Sequence, residues 1–266
     1  MPPERSEIIT HQAVQKAGYA DYDTFMHAIL NDEMSLRDEA TGSKTPNEIT
    51  LMNELSALID EVEVLIGEIG VGFRKIRGEP VNMRILSGRL DGAGAAIGTI
   101  SQNYDTMADK MQQVIERIQS RESGSITRMK AATIRARFAA QVSRLLRETA
   151  EQARQDVPQD KTAQDFIENI LPAHAKRMSA EAKVSAREIA AIGKEITDFC
   201  RQLRRRINGL DVVKLLCRVE SGRIGNSDSG LQGIIARLEK FHARTDVFLA
   251  DLAAKASQIT AKSAAL

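Results

Sequence analysis

The sequence predicts an all-α fold: an elongated antiparallel four-helix bundle or coiled coil made of two long helical hairpins, plus a short N-terminal helix. Three observations carry that prediction. The 266-residue chain has no Trp, 4% aromatic and 27% charged residues, and its wealth of Ala, Leu, Ile, Glu, Arg and Lys suits long amphipathic helices better than an aromatic-rich core. Apolar residues recur at alternating steps of three and four, the rhythm of helices packed along a seam. Only six prolines occur, two of them at positions 2 and 3, which leaves long tracts free to be helical.

Residues 1–44 form the N-terminal helical segment. Tyr19, Tyr22 and Phe25 lie close together with Ile29 and Leu30 beyond, so a short helix there either packs its aromatic side onto the flank of the bundle or serves as a docking segment for a partner. The polar stretch containing Gly42 and Pro46 ends it.

The first hairpin spans 45–157, with its tip near 91–96. Thr45, Pro46 and Glu48 resemble an N-cap, a first-turn proline and a third-position acid. The seam Leu51, Leu55, Leu58, Val62, Leu65 and Ile69 follows. It continues through Ile76, Met83, Leu86 and Leu90, broken only at Gly72 and Glu79, and gives one rod of roughly 60–65 Å at 1.5 Å per residue. Gly67, Gly70, Gly72, Gly78 and Pro80 crowd into that rod, although a helical Gly costs about 1 kcal/mol relative to Ala and Pro about 3. Either a neighbouring helix approaches closely at the glycines, with a kink at Pro80, or Gly70, Gly72, Gly78 and Pro80 form a hinge. The return stripe runs Ile97, Ile100, Tyr104, Met107, Met111, Val114 and Ile118. Its helix extends through Phe138 and Leu145 to about Gln155, with Gly124 and a change of phase near Ile134 as weak points, and Pro158 closes the half.

The second hairpin, 158–266, repeats the plan. Ile189, Ile192, Ile196, Phe199 and Leu203 form its seam, the stretch RRRINGL disturbs it, the tip lies near 221–230, and the tail AKSAAL frays. Leu231, Ile234, Leu238, Phe241, Thr245, Phe248 and Leu252 return. Aligning Arg218 with Arg89 sets Glu220 on Asp91, Val219 on Leu90, Leu215 on Leu86 and Val212 on Met83. Leu231, Ile234, Leu238, Phe241 and Phe248 then fall on Ile97, Ile100, Tyr104, Met107 and Val114, which points to an internal duplication. The two hairpins are expected to form one bundle.

Several function classes are disfavoured. A formal net charge of +1 supplies no global field for nucleic acid or an anionic membrane. No window approaches 18 uninterrupted apolar residues and the start has no signal-peptide core, so no membrane span and a cytoplasmic location are expected. Cys200 and Cys217 fall on one helix roughly 25 Å apart, too far to bridge. His11, His27, His174 and His242 lack ligand spacing, so neither a metal nor a cofactor is expected. No phosphate loop, dinucleotide fingerprint or nucleophile elbow occurs, and the chain reads as no enzyme. Arg201, Arg204, Arg205 and Arg206 form the strongest local charge run: a solvated face balanced by neighbouring acids, or a grip for a phosphate or an acidic partner.

Asn82, Ile85, Arg89, Gly94, Ile97 and Ile100 carry the sharpest signal. At this spacing the first tip resembles the cytoplasmic signalling hairpin of methyl-accepting chemotaxis proteins, strongly over about 25 residues and elsewhere only as heptad pattern. The chain departs from the family at Leu86, where the family has Glu, at Asp91 and Gly92, where it has Gly-Glu, at Ile97, where it has an aromatic, and at Asn103, where it has an acid. In the family those positions make trimer contacts and dock the histidine kinase and its coupling protein. No transmembrane helix, ligand domain, tethering pentapeptide or Glu/Gln methylation pair accompanies the tip.

The resemblance implies a chemoreceptor-like signalling or scaffold protein acting through protein contacts at its tips. Asn82, Ile85, Arg89, Asp91, Gly94 and Ile97 serve the first tip, and Arg218 and Glu220 the second. The partners implied are a signalling kinase, a coupling protein or chemoreceptors. Family receptors build a four-helix bundle from two chains, so one chain with both hairpins would be a monomer imitating a receptor dimer, or a homodimer. The competing class is a structural coiled coil, or a membrane-acting helical bundle as in helical pore-forming toxins; the polar tip residues Arg89, Asp91, Asn226 and Asp228 speak against insertion.

Overall fold

The structure, a computed structural model, describes residues 13–19, 22–41, 47–88, 94–120, 123–155, 160–224 and 229–266. Regular structure among them is helical. The helices are α1 (Tyr22–Thr41), α2 (Asn47–Ile76), α3 (Glu79–Ser87), α4 (Gly94–Gln119), α5 (Ser125–Gln155), α6 (Lys161–Asp165), α7 (Leu171–Ile224) and α8 (Ser229–Ala264), with a single π turn, Phe166–Ile170, between α6 and α7. Thr45 and Pro46, the proposed start of α2, and Pro158 lie outside the described residues.

Three corrections concern helix limits. The expected single rod ends at Ile76, Arg77 and Gly78 form a turn, and α3 begins with Pro80 in its first turn. Pro80 has no N–H to give the Ile76 carbonyl four residues back, and its ring crowds that carbonyl. The chain resumes at once, with the Asn82 amide donating to the Gly78 carbonyl at 3.1 Å. By contrast RRRINGL does not interrupt α7, a helix of 54 residues. Leu203 and Ile207 are buried on either side of the arginines, and that packing outweighs the roughly 1 kcal/mol cost of Gly209 in a helix. Nor does the tail fray: α8 reaches Ala264, with Ile259 and Ser263 buried.

The helices divide between two units, the first comprising Met1–Glu54, Ala132–Arg187 and Leu266, the second Leu55–Ala131 and Glu188–Ala265. Each draws on both halves of the sequence.

In the first unit α1 lies along α5. His27 meets Phe138 edge to face at 4.9 Å, Gln141 Nε2 donates to Asn31 Oδ1 at 2.6 Å, and Arg144 grips Asp38. Partner numbers rise together on the two helices, so they run parallel. Leu30 and Met34 are buried among the described side chains of α1, while the Tyr19 and Phe25 rings meet edge to face at 5.3 Å. The change of phase near Ile134 has a simple origin. After Ile126 and Met129, the buried apolar stripe of α5 passes to Ala132, Ala136, Ala139, Ala140 and Ala150, and Ile134 points outward, so a large apolar side chain off the stripe misleads. Small residues allow close approach, and Ser143 Oγ donates to the Ala175 carbonyl of α7 at 2.8 Å.

The second unit holds the regular seams. Glu61 pairs with Lys255, Glu68 with Arg244, Phe73 with Phe241 and Glu79 with Arg237. The α2–α3 numbers rise as the α8 numbers fall, an antiparallel register. Arg77, in the turn before α3, pairs with Asp109, and Arg84 with Asp105, so α4 runs back along the chain that leads to it; the Ser101 hydroxyl donates to the Pro80 carbonyl between the two helices. Arg204–Asp246 and Arg218–Glu239 set α7 and α8 antiparallel. Lys130 of α5 reaches Asp60 at 2.9 Å and Glu63 at 2.5 Å.

All five seam residues of α7, Ile189, Ile192, Ile196, Phe199 and Leu203, are buried. Cys200 lies beside them, and burial pushes its thiol up to about 12. Since only the thiolate attacks, Cys200 in a Cys217→Ser background is expected to resist an aromatic disulfide reagent at pH 8 until denaturant is added. Prompt native-state labelling would contradict the packing.

Candidate docking surfaces

The residues of the first tip separate by burial. On α3, Asn82 is exposed and donates through Nδ2 to Glu79 Oε2 at 3.4 Å, and Ile85 is 54% exposed. Gly94 opens α4, while Ile97 and Ile100 are buried. Ile97 is therefore a core residue that holds α4 in place rather than a partner contact. Arg89 and Asp91 lie outside the described residues.

At the second tip α7 persists to Ile224 and α8 begins at Ser229, so the connection is shorter than the expected 221–230. Arg218 pairs with Glu239 at 2.5 Å. Glu220 sits in α7, its side chain outside the described ones. Leu215, Leu216 and Val219 are 59%, 47% and 52% exposed. The duplication set Leu215 and Val219 on the seam residues Leu86 and Leu90, and their exposure corrects this. At about 100° per residue they stand roughly 80°, 180° and 120° around α7 from the buried Ile207, away from the core stripe. Val81 and Ile85 of α3, which precedes the first connection, are also exposed.

Glu79, which broke the predicted seam, is a buried acid. Arg237 closes on it with two bonds, Nε to Oε1 at 2.7 Å and Nη2 to Oε2 at 2.8 Å. The guanidinium holds its carboxyl below the ordinary 4.5, burial opposing and Asn82 helping. Because the folded-state value is depressed, this stabilisation is complete well above pH 4.5 and disappears as pH falls through the lower folded value. Glu79→Gln is expected to cost about 1 kcal/mol at pH 7, since Arg237 is half exposed. The gap from wild type should close on acidification; a gap constant from pH 7 to pH 3 in urea titrations would refute the assignment. Next to this pair Tyr104 is buried, its ring stacked parallel to His242 at 6.3 Å. Its hydroxyl is raised above its usual range by burial first and by the Glu79 carboxylate second.

A groove of about 610 Å³ runs along α2, the start of α3 and α8. Ile69, Ile76, Phe241 and Phe248 line it, with Val64 and Val71 exposed on the α2 side. A Cβ on Gly72 would come within 3.3 Å of the Phe241 ring, and one on Gly70 within 3.3 Å of Ile115. Both glycines mark close helix approach, the first of the two sequence readings, while the break itself falls at Arg77 and Gly78. Along the groove Arg244 pairs with Glu68 and lies over the Phe248 ring, and Arg237 pairs with Glu79. Lys75 and Lys240 also line it, both exposed and with no acid partner among the described residues.

Elsewhere two arginines of the charge run meet acids, Arg201 bonding Asp198 at 2.9 Å and Arg204 bonding Asp246 at 2.7 Å, while Arg205 and Arg206 are exposed. His174 is exposed, His27 half-buried and His242 buried, and His11 lies outside the described residues. Among the described residues no group of three or more His, Cys, Asp or Glu is placed to hold a metal. No described helix is long and apolar enough to cross a membrane. Comparison of the chain with protein-family models, curated proteins and solved structures gave no match.

Proposed function

We propose that this chain is a non-enzymatic, chemoreceptor-like signalling or scaffold protein of the cytoplasm that works through protein contacts at the ends of two helical hairpins packed as one four-helix bundle. One observation carries the proposal: Ile85, Leu215, Leu216 and Val219 stand exposed in the last turns before the two connections, while Met83 and Ile97 nearby are buried. Isolated exposed apolar residues need no explanation, but three of them between Leu215 and Val219 on one helix suit a docking surface. The return of α4 along the chain that leads to it and the antiparallel pair of α7 with α8 support the hairpins. The family part of the reading rests on the residues Asn82, Ile85, Arg89 and Gly94.

The test is direct binding to a purified chemotaxis histidine kinase, its coupling protein and a receptor signalling domain, wild type beside Ile85→Asp and Leu216→Asp. Saturable binding that both substitutions weaken supports the reading. Absence of binding to all three removes the chemoreceptor assignment, and adsorption to anionic liposomes instead would favour the membrane-acting class. Light scattering distinguishes a monomer imitating a receptor dimer from a homodimer.

A further inference from the structure

We propose that the groove between α2 and α8 receives an acidic amphipathic helix from a partner protein, at a site separate from the hairpin ends. Shape gives the first argument. Val64, Val71 and Lys75 lie on α2 at steps of seven and four, and Arg237, Phe241, Arg244 and Phe248 on α8 at steps of four, three and four. Two antiparallel helices thus present facing stripes at heptad spacing, the receiving geometry for a third helix that inserts its own side chains at i, i+3 or i+4, and i+7.

Exposure gives the second. Val64 is 64% exposed and Val71 41%, one heptad apart, and across from them Phe241 and Phe248 are only half-buried, above a floor of the buried Ile69 and Ile76. A small-molecule pocket encloses most of its ligand, whereas Val64, Val71, Lys75 and Lys240 leave the walls of this groove facing solvent. Charge chooses the occupant. Six ionisable side chains line the groove, Arg237, Arg244, Lys75 and Lys240 against Glu68 and Glu79. The two arginines are paired with the two acids, which leaves Lys75 on one wall and Lys240 on the other without a partner among the described residues. A helix with an apolar stripe flanked by carboxylates would cover the valines and reach a lysine on each side; a basic helix would meet two cations.

The test uses the full chain and two labelled synthetic peptides, each with leucine at heptad positions a and d, one with glutamate and the other with lysine at e and g. In fluorescence anisotropy the glutamate peptide is expected to bind, and the lysine peptide not. The double variant Lys75→Glu, Lys240→Glu should weaken the glutamate peptide by at least about tenfold, because two attractions become repulsions. Both lysines are exposed, so thermal unfolding should be unaltered; should the double variant be unstable, Lys75→Ala with Lys240→Ala provides the same comparison. Val71→Asp should weaken binding as well, and Ile85→Asp should leave it unchanged. Equal binding of both peptides, no binding of either, or insensitivity to the lysine variants would overturn the proposal. So would displacement of the glutamate peptide by submicellar oleate from the wild type alone, which would assign the groove to a lipid carboxylate.

Discussion

Ile66→Ala is expected to lower the stability of the second unit by about 3–4 kcal/mol, and Leu65→Ala, one residue earlier, by only about 1 kcal/mol. Ile66 is 0% exposed, as are Leu55 and Val62, whereas Leu65 is half-buried. Truncating Ile66 opens a cavity that neighbouring helices cannot fill, since Gly70 already brings Ile115 of α4 to the limit of approach. Truncating Leu65 removes methyl groups at a rim where water can enter. Urea unfolding of the two single variants checks this, and equal losses would restore the seam as the sequence suggested it.

That pair of residues shows what was legible and what was not. The 3–4 rhythm of α2 is real, but its phase is ambiguous in sequence, because apolar residues come as doublets: Leu51 and Met52, Leu58 and Ile59, Leu65 and Ile66. The first member of each doublet and the second both give a heptad pattern with Leu55, Val62 and Ile69. In the folded chain Met52, Ile59 and Ile66 are buried and Leu51, Leu58 and Leu65 lie at the margin. Contacts to α4 on one side and α8 on the other widen the buried face beyond a two-stranded seam. Where the large aliphatic residues stand singly, as in α7 from Ile189 to Leu203, the phase is readable. The groove was not, because its walls come from segments far apart in sequence and its lysines look like any solvated helix face. Glu79 could not be identified as buried either: an acid on a seam is a fault until its partner, Arg237, is known, 158 positions away. The exposed Leu215, Leu216 and Val219 escaped for the opposite reason, since apolar residues were assigned inward by alignment rather than by their angle around α7.

Arg144→Ala is expected to cost the first unit about 2–3 kcal/mol and to release α1 from α5. Arg144 and Asp38 are 16% and 15% exposed at their side chains, and the same guanidinium donates to Glu148 at 2.6 Å. Glu148 also faces Arg37, at 3.8 Å, and Arg37 bonds Glu33 at 2.7 Å. Removing Arg144 thus leaves the Asp38 carboxylate largely shielded from water without its cation, which costs more than an exposed ion pair contributes. The release should be local. Among the described side chains of α1 only Leu30 and Met34 are buried, Phe25 and Met26 are half-buried, and Ile29 and Leu36 are exposed, so polar contacts to α5 contribute much of what fixes its position and parallel direction. Hydrogen exchange should therefore accelerate over Tyr22–Thr41 and leave amides of the second unit protected. If the double variant Arg144→Met, Asp38→Leu recovers most of the loss, the penalty lies in the orphaned charge rather than in the pair itself; if it is as unstable as Arg144→Ala, the ion pair contributes directly, and α1 depends on charge to stay in place.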